Sequence, residues 1–141
     1  MEKVKEVPYG VADFVTVMEQ NLYYVDKTMF IPELEKQPRN LFFIRPRRFG
    51  KSIFLSMLHS YYDCNQSAKF QSLFGNLWIG QHPTELQGKY QVLFLDFSQV
   101  SGNIDSLERN FDFYCSVKLD GFMRRYGESY SEETREKVRK A

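Results

Sequence analysis

Eight consecutive residues form the stretch of this sequence with the most evident chemistry: Arg45-Pro46-Arg47-Arg48-Phe49-Gly50-Lys51-Ser52. The pattern G-x-x-x-x-G-K-S/T holds the phosphates of nucleotides, and its second glycine, its lysine and its serine are all present here. Arg45 stands where the first glycine of the pattern would be. The spacing therefore predicts a phosphate-binding loop over residues 45–52.

Each retained residue of the loop has a physical role. Gly50 lets the backbone approach a phosphate without a side chain in the way. The amides of residues 48–53 would face the anion from the N-terminus of a helix. Lys51 would reach the outer phosphates as a point charge, and the Ser52 hydroxyl would bind Mg²⁺. The predicted binding residues are Arg45, Pro46, Arg47, Arg48, Phe49, Gly50, Lys51, Ser52 and Ile53.

A basic turn that merely starts a helix is the alternative to a phosphate site. A lysine in the first helical turn opposes the helix dipole, and this small penalty favours the functional interpretation. Arg47 and Arg48 could contact a phosphate ligand, a nucleic acid or only neighbouring carboxylates, and the sequence leaves these options open.

The elements around the loop predict how it is positioned. Residues 41–44 are four apolar residues, typical of a strand buried on both faces of a parallel sheet. Residues 51–62 predict a buried helix, and residues 90–97 predict a second buried strand. Residues 101–103 open a predicted long helix that runs to residue 126 and stops at Gly127. We therefore expect an α/β fold: a P-loop NTPase-like parallel sheet with flanking helices, incomplete in this chain.

Two aspartates before the loop predict helix starts. Asp13 is placed to cap a short helix that contains Phe14, Val15, Val17 and Met18. Asp26 is placed to cap a helix over residues 27–36 that Pro32 would kink or delay. A second function for Asp26 and Lys27, as part of a nucleotide pocket, stays open beside the capping interpretation, as does the role of Tyr24.

Asp96 is the other candidate for nucleotide chemistry. It follows the apolar residues 92–95, as the acid of a Walker B motif follows its strand. We disfavour this assignment, because in P-loop ATPases with an inserted strand the first strand after the loop helix does not carry the acid. The alternative is an aspartate that bonds local backbone. His59 and His82 lack a partner pattern and receive no catalytic role.

Composition excludes several classes of protein. The formal net charge is +1 and apolar residues make up 43% of the chain, as in a globular protein without a global field for nucleic acid or anionic membrane. Two cysteines, Cys64 and Cys115, predict free thiols in a reducing cytosol. The sequence shows no signal peptide and no apolar run long enough to span a bilayer, which predicts a cytoplasmic protein without a membrane partner.

Three stretches together resemble one family: Pro8-Tyr9-Gly10 with Phe14, then Tyr24-Val25-Asp26-Lys27-Thr28, then the loop at residues 45–52. They resemble the N-terminal region of the AAA-ATPase-like proteins of bacteria and archaea, many of which carry a PD-(D/E)XK nuclease-like domain at the far C-terminus. Arginine at the first loop position is usual in that family. The resemblance covers essentially all of residues 1–141 and implies ATP and Mg²⁺ as cofactors.

The resemblance also implies that the chain is cut short. The D-E-Y-D-K-P string that carries the family's Walker B acid is absent from the sequence. We therefore expect residues 1–141 to be the N-terminal part of one AAA-ATPase-like P-loop domain, with an extension over 1–40 and a core portion over 41–141. The parent protein would be an ATPase, and this chain alone would lack hydrolytic activity. Nucleic acid would be a partner through the missing C-terminal region.

Two functions of other classes remain alongside ATP binding. One is a nucleic-acid-binding module that uses Arg45, Arg47, Arg48 and Lys51 as a phosphate-contact patch. The other is a structural fragment that self-associates through an exposed apolar edge.

Overall fold

The computed structural model describes residues 5–46 and 49–140. The chain divides into two compact units, one ending at Tyr90 and one beginning at Gln91. The first unit contains α1 (Phe14–Glu19), α2 (Ile31–Glu35), α3 (Lys51–Tyr62), α4 (Phe70–Phe74) and α5 (Trp78–Gln81). The second contains α6 (Ile104–Tyr126) and α7 (Glu132–Lys140). Short 3₁₀ turns cover Thr28–Phe30, Cys64–Lys69, Phe97–Gln99 and Gly127–Ser129.

The core of the first unit forms around one face of α3. Phe54, Met57 and Tyr61 follow each other at helical spacing, so they share a face and are buried together. The aromatic ring of Phe14 from α1 stacks on that of Phe74 from α4, with their centroids 4.9 Å apart. The buried cluster contains Phe14, Ile31, Phe54, Met57, Tyr61, Leu73, Phe74 and Ile79. Burying each large apolar side chain contributes about 1.5–3 kcal/mol to folding.

Helix α1 is fixed at its start to α3. The Asp13 carboxylate accepts a hydrogen bond from the Thr16 amide at 2.8 Å, which confirms Asp13 as the cap of this helix. The Ser56 hydroxyl on α3 accepts from the Phe14 amide at 3.0 Å and donates to the second oxygen of Asp13 at 3.1 Å. These bonds set the distance between the two helices.

A polar network joins α2 to α3. Glu35 accepts hydrogen bonds from the Tyr62 hydroxyl at 3.0 Å and from the Thr84 hydroxyl at 2.7 Å. The Thr84 amide donates to the Tyr61 hydroxyl at 2.8 Å. Buried polar groups are costly unless they are paired, so this network holds α2 in one position against α3. Glu33 and Leu34 of α2 in turn line a cavity that Arg45 and Gly50 also border.

The parallel sheet that the sequence predicted is not formed. Within residues 5–46 and 49–140 the structure contains no β-strand, and the only sheet-type pairing is one parallel bridge between Asp63 and Tyr90. The predicted α/β class is therefore wrong for this structure, whose described elements are helical. Of the predicted buried strand 41–44, Phe42 is 93% and Ile44 86% exposed. An apolar run becomes a strand only where other strands satisfy its backbone groups, and none does so here.

The second predicted strand is replaced by an extended segment along α6. In the second unit, the Val92 amide donates to the Tyr126 hydroxyl at 3.4 Å, and the Asp96 amide donates to the Tyr114 hydroxyl at 2.6 Å. Tyrosine side chains of a helix thus bond backbone groups that a neighbouring strand would bond in a sheet. Apolar composition alone does not distinguish these two solutions, which is why the prediction of a strand over residues 90–97 was wrong.

Candidate phosphate-binding site

The candidate site lies at the N-terminus of α3. Gly50 precedes the helix with a φ of 75° and a ψ of 24°, a left-handed conformation that residues with a Cβ rarely adopt. The chain therefore turns sharply at Gly50 and enters the helix at Lys51. The predicted requirement for glycine at this position has a backbone cause as well as a steric one.

The first turn of α3 presents donor groups. The first hydrogen bond of the helix runs from the Phe54 amide to the Gly50 carbonyl at 3.0 Å. The amides of residues 51–53 therefore have no acceptor within the helix, and no side chain of the described residues caps this end. Such an end carries a partial positive charge and favours an anion.

The side chain of Lys51 turns back into the loop. Its ammonium donates to the carbonyl oxygens of Arg45 at 2.7 Å and Pro46 at 2.8 Å. These bonds tie the ammonium at the start of α3 to the backbone at residues 45 and 46. Ser52 is exposed in the same turn, and Ile53 is partly buried behind it.

A second ammonium group reaches the loop from a different part of the chain. The Nζ atom of Lys27 lies 3.6 Å from the position that a Cβ atom on Gly50 would occupy. The sequence left the role of Lys27 open between a solvated side chain and a pocket residue. The structure places it against the loop.

The residues beside Lys27 are tied to α5. One carboxylate oxygen of Asp26 accepts from the amide and the hydroxyl of Thr28, at 2.8 and 2.7 Å. The other accepts from the Trp78 amide at 2.7 Å. Thr28 is fully buried, and its hydroxyl accepts from the Ile79 amide at 3.1 Å. The predicted cap of a helix over residues 27–36 is not formed, because α2 begins only at Ile31 and Asp26 is not its N-cap. The Asp26 carboxylate instead joins the start of the turn at Thr28 to the start of α5.

Two cavities of about 400 Å³ each flank the loop. The α2-side cavity is lined by Lys27, Phe30, Glu33, Leu34, Gln37, Phe43, Arg45, Phe49, Gly50 and Phe54. The N-terminal cavity is lined by Val7, Pro8, Tyr23, Tyr24, Val25, Lys27, Phe49, Gly50, Ile53 and Phe54. Lys27 and Gly50 border both cavities. The ammonium of Lys27 and the sharp turn at Gly50 therefore lie where the two cavities meet, which we call the junction.

The α2-side cavity combines apolar walls with polar groups. The ring of Phe43 stacks on that of Phe54 with centroids 5.2 Å apart, and Phe30 and Leu34 complete an apolar lining. Gln37 and Glu33 also border this cavity. An apolar space with a few polar groups is typical of sites that bind planar organic ligands.

Comparison with known proteins identifies the family of this chain. The family described as "AAA-ATPase_like: Predicted AAA-ATPase" matches residues 8–141, which is nearly the whole chain. The chain belongs to this AAA-ATPase-like family. The resemblance inferred from the three sequence stretches is thereby confirmed.

One curated relative of this AAA-ATPase-like chain comes from Azotobacter chroococcum mcd 1 and is described as "Uncharacterized protein in vnfD 5'region". It is 43% identical over 63 residues, which are 44% of this chain and 12% of the relative. The match therefore spans about an eighth of the relative's length. No solved structure matches the chain.

Asp96 lies in the second unit of this AAA-ATPase-like chain. Its carboxylate accepts from the amide and the hydroxyl of Ser98, at 3.1 and 2.6 Å, and so caps the turn Phe97–Gln99. These hydrogen bonds hold the pKa of Asp96 below its usual value. The observed contacts are the local backbone bonds that we considered from the sequence as the alternative to a Walker B acid.

The sequence analysis also named two arginines and two cysteines of this AAA-ATPase-like chain. Arg47 and Arg48 lie outside the described residues. Cys64 and Cys115 are both free thiols. In the part of the chain that the structure describes, no helix combines the length and the apolar character needed to cross a membrane.

Proposed function

We propose that this chain binds ATP with Mg²⁺ through the loop at residues 45–52. The observation that carries the proposal is the position of the Lys51 ammonium at the start of α3, where it is held by the carbonyls of Arg45 and Pro46. A phosphate oxygen is a stronger acceptor for an ammonium than a neutral carbonyl. The bound phosphates would accept hydrogen bonds from the Lys51 ammonium, in place of the two carbonyls, and from the amides of residues 51–53.

The adenine base would enter the α2-side cavity. Its volume of about 400 Å³ lies within the range of small-molecule sites, and the apolar Phe30, Leu34 and Phe43 match the faces of a purine. The Gln37 amide carries both donors and an acceptor and suits the edge of the base. The phosphates would then lie toward Gly50, which borders the same cavity.

The described residues fit a magnesium ion that is held mainly by the ligand. Ser52 is exposed at the first turn of α3 and can supply one hydroxyl oxygen. Mg²⁺ commonly keeps several waters and takes its other ligands from phosphates, so one protein oxygen is sufficient. The proposal for this chain is confined to binding, because the carboxylate of Asp96, the candidate acid, is held by Ser98 in the second unit.

Calorimetric titration of Mg-ATP into the chain tests the proposal. We expect saturable binding that weakens by about tenfold or more in Lys51→Ala, since a hydrogen bond to a charged group contributes roughly 1.5–3 kcal/mol. Lys69→Ala is the matched control, because Lys69 pairs with Glu19 on the surface of the same unit at 3.3 Å. It should bind ATP as the parent does.

Two results would overturn ATP binding. One is a folded parent chain that takes up no Mg-ATP, and the other is a Lys51→Ala variant with unchanged affinity. Binding of a single-stranded oligonucleotide that Lys51→Ala abolishes and that Mg-ATP does not displace would replace the proposal by the nucleic-acid-binding alternative. Its affinity should then fall steeply with added salt.

A further inference from the structure

We propose that Lys27 is a second cation for the phosphates of the bound nucleotide, supplied to the loop by a separate segment of the chain. This inference rests on the proposed function. It assigns to Lys27 a role that the phosphate-loop pattern itself does not contain. The proposal has three supports: the fixed backbone of residue 27, the place of its ammonium, and the charges around it.

The backbone of Lys27 is held on both sides. Asp26 before it accepts from the Trp78 amide, and Thr28 after it accepts from the Ile79 amide. The Lys27 carbonyl itself accepts from the Phe30 amide at 3.2 Å. The starting point of this side chain is therefore set by α5, independently of residues 45–52.

The ammonium of Lys27 is placed where a phosphate chain would pass. It lies next to Gly50 at the point where the residue has no side chain, and Lys27 borders both cavities that flank the loop. A ligand that places a base in the α2-side cavity and phosphates at residues 50–53 must cross this junction. Lys27 would meet such a ligand without moving its backbone.

The charges around the junction favour an anion. Lys27 and Arg45 line the same cavity, and the Lys51 ammonium is bonded to the Arg45 carbonyl. The ion pairs of the described residues include none of these three side chains. Glu33, which borders the same cavity, pairs with Lys36 at 2.8 Å. Three cationic side chains around the start of a helix favour a ligand with several negative charges, such as an oligophosphate. The ligand class that this arrangement favours is a nucleoside di- or triphosphate.

The affinities of ATP, ADP, AMP and adenosine for the chain test this role. They would be measured by calorimetry with Mg²⁺ for the parent, Lys27→Met, Lys27→Arg and the surface control Lys69→Met. We expect Lys27→Met to lower the affinity for ATP by about tenfold or more and the affinity for AMP by less. The affinity for adenosine should not change. Lys27→Arg should recover part of the ATP affinity, because it restores the charge.

The results separate this inference from the proposed function. If Lys51→Ala no longer binds ATP while Lys27→Met binds it as the parent does, ATP binding at residues 45–52 is supported and the role of Lys27 is refuted. If Lys27→Met weakens adenosine as much as ATP, the lysine shapes the pocket and does not contact phosphate, and the inference is equally refuted. If the folded parent binds none of the four ligands, both proposals fall together.

Discussion

The backbone amide of Trp78 donates a hydrogen bond to Oδ2 of Asp26 at 2.7 Å, across 52 residues of sequence. The same carboxylate bonds the amide and the hydroxyl of Thr28 through its other oxygen. One aspartate thereby joins the segment before residues 45–52 to α5, a helix that follows α3. The position of Lys27 beside Gly50 depends on these hydrogen bonds of Asp26.

Replacement of Asp26 by asparagine should destabilise the first unit by about 1–3 kcal/mol. The substitution keeps the volume but turns one acceptor oxygen into an amide donor that faces other donors. Urea unfolding followed by tryptophan fluorescence measures the effect, because Trp78 is the only tryptophan and lies in this unit. Glu33→Gln is the control, since it breaks only the exposed Glu33–Lys36 pair and should cost less than about 1 kcal/mol. Equal losses in both variants would contradict a stabilising role for the hydrogen bonds that Asp26 accepts from Thr28 and Trp78.

Substitution of Gly50 by alanine should destabilise the fold by about 1 kcal/mol and should also lower the affinity for ATP. Space for the added methyl exists, with Ile53 and Lys27 at 3.5 and 3.6 Å, but the φ of 75° is unfavourable for alanine. Gly10→Ala is a matched control, because Gly10 has a φ of 72° and nothing within 4 Å of its Cβ position. Thermal unfolding should show similar losses in both variants, and calorimetry should show weaker ATP binding in Gly50→Ala alone. A Gly10→Ala variant with the same loss of affinity would show that backbone strain anywhere in the unit disturbs the site.

Tyr62 should ionise late in an alkaline titration of the folded chain. Burial raises the pKa of its phenol first, and the carboxylate of Glu35 raises it further. A raised folded-state pKa means that the contribution of Tyr62 to stability is complete below about pH 10 and is lost as the pH rises beyond it. Phenolate absorbance of the parent and Tyr62→Phe measures this effect. The variant should lack part of the late phase of the titration.

Tyr24 belongs to the late phase as well, because burial and then the charge of Asp26 raise its pKa. Loss of early absorbance alone in Tyr62→Phe would contradict the assignment.

Asp13 should contribute stability that acid removes. Partial burial raises the pKa of this carboxyl, but hydrogen bonds from Thr16 and Ser56 outweigh that effect and leave the pKa below its usual value. A depressed folded-state pKa gives stability that is present above about pH 4 and is lost as the pH falls through the folded-state pKa. The difference in unfolding free energy between the parent and Asp13→Asn should therefore shrink in acid, as urea unfolding at several pH values would show. A difference independent of pH would refute this, and Glu19→Gln is the control on the surface of the same helix.

Two of the longer helices were predictable from local sequence. The apolar positions of residues 51–62 predicted α3 with the bounds that the structure shows. In the second unit, residues 101–103 were taken to open a helix that runs to Tyr126, and α6 spans Ile104–Tyr126. Helix starts depend on capping side chains and apolar spacing, which are properties of neighbouring residues. Pro32 delayed the helix after Asp26, as expected, so that α2 begins at Ile31.

The sheet was not predictable in the same way. Residues 41–44 have the composition of a buried strand, yet strand formation depends on partners elsewhere in the chain. In the structure Phe43 stacks on Phe54, while its neighbours Phe42 and Ile44 remain exposed. A pattern of side chains indicates which residues could be buried but not what would bury them.

The part of the candidate site that sequence analysis could not assign is Lys27. The proximity of its ammonium to Gly50 follows from tertiary contacts of Asp26 and Thr28 with α5, which no local pattern encodes. A signal was present in the alternation of Asp26, Lys27 and Thr28, because aspartate and threonine two residues apart commonly form such turns. That signal predicts the turn, but the direction of the lysine depends on the fold.

The tie between Asp26 and Trp78 also determines how the loop could be used in protein engineering. An eight-residue insert copied from residues 45–52 would carry Gly50 and Lys51 into a new scaffold but would leave Lys27 behind. A faithful transplant needs three separate pieces: the loop with the first turn of α3, residues 26–28, and the start of α5 that fixes them. The smallest portable unit of this site is therefore a set of three segments that are distant in sequence, rather than a motif.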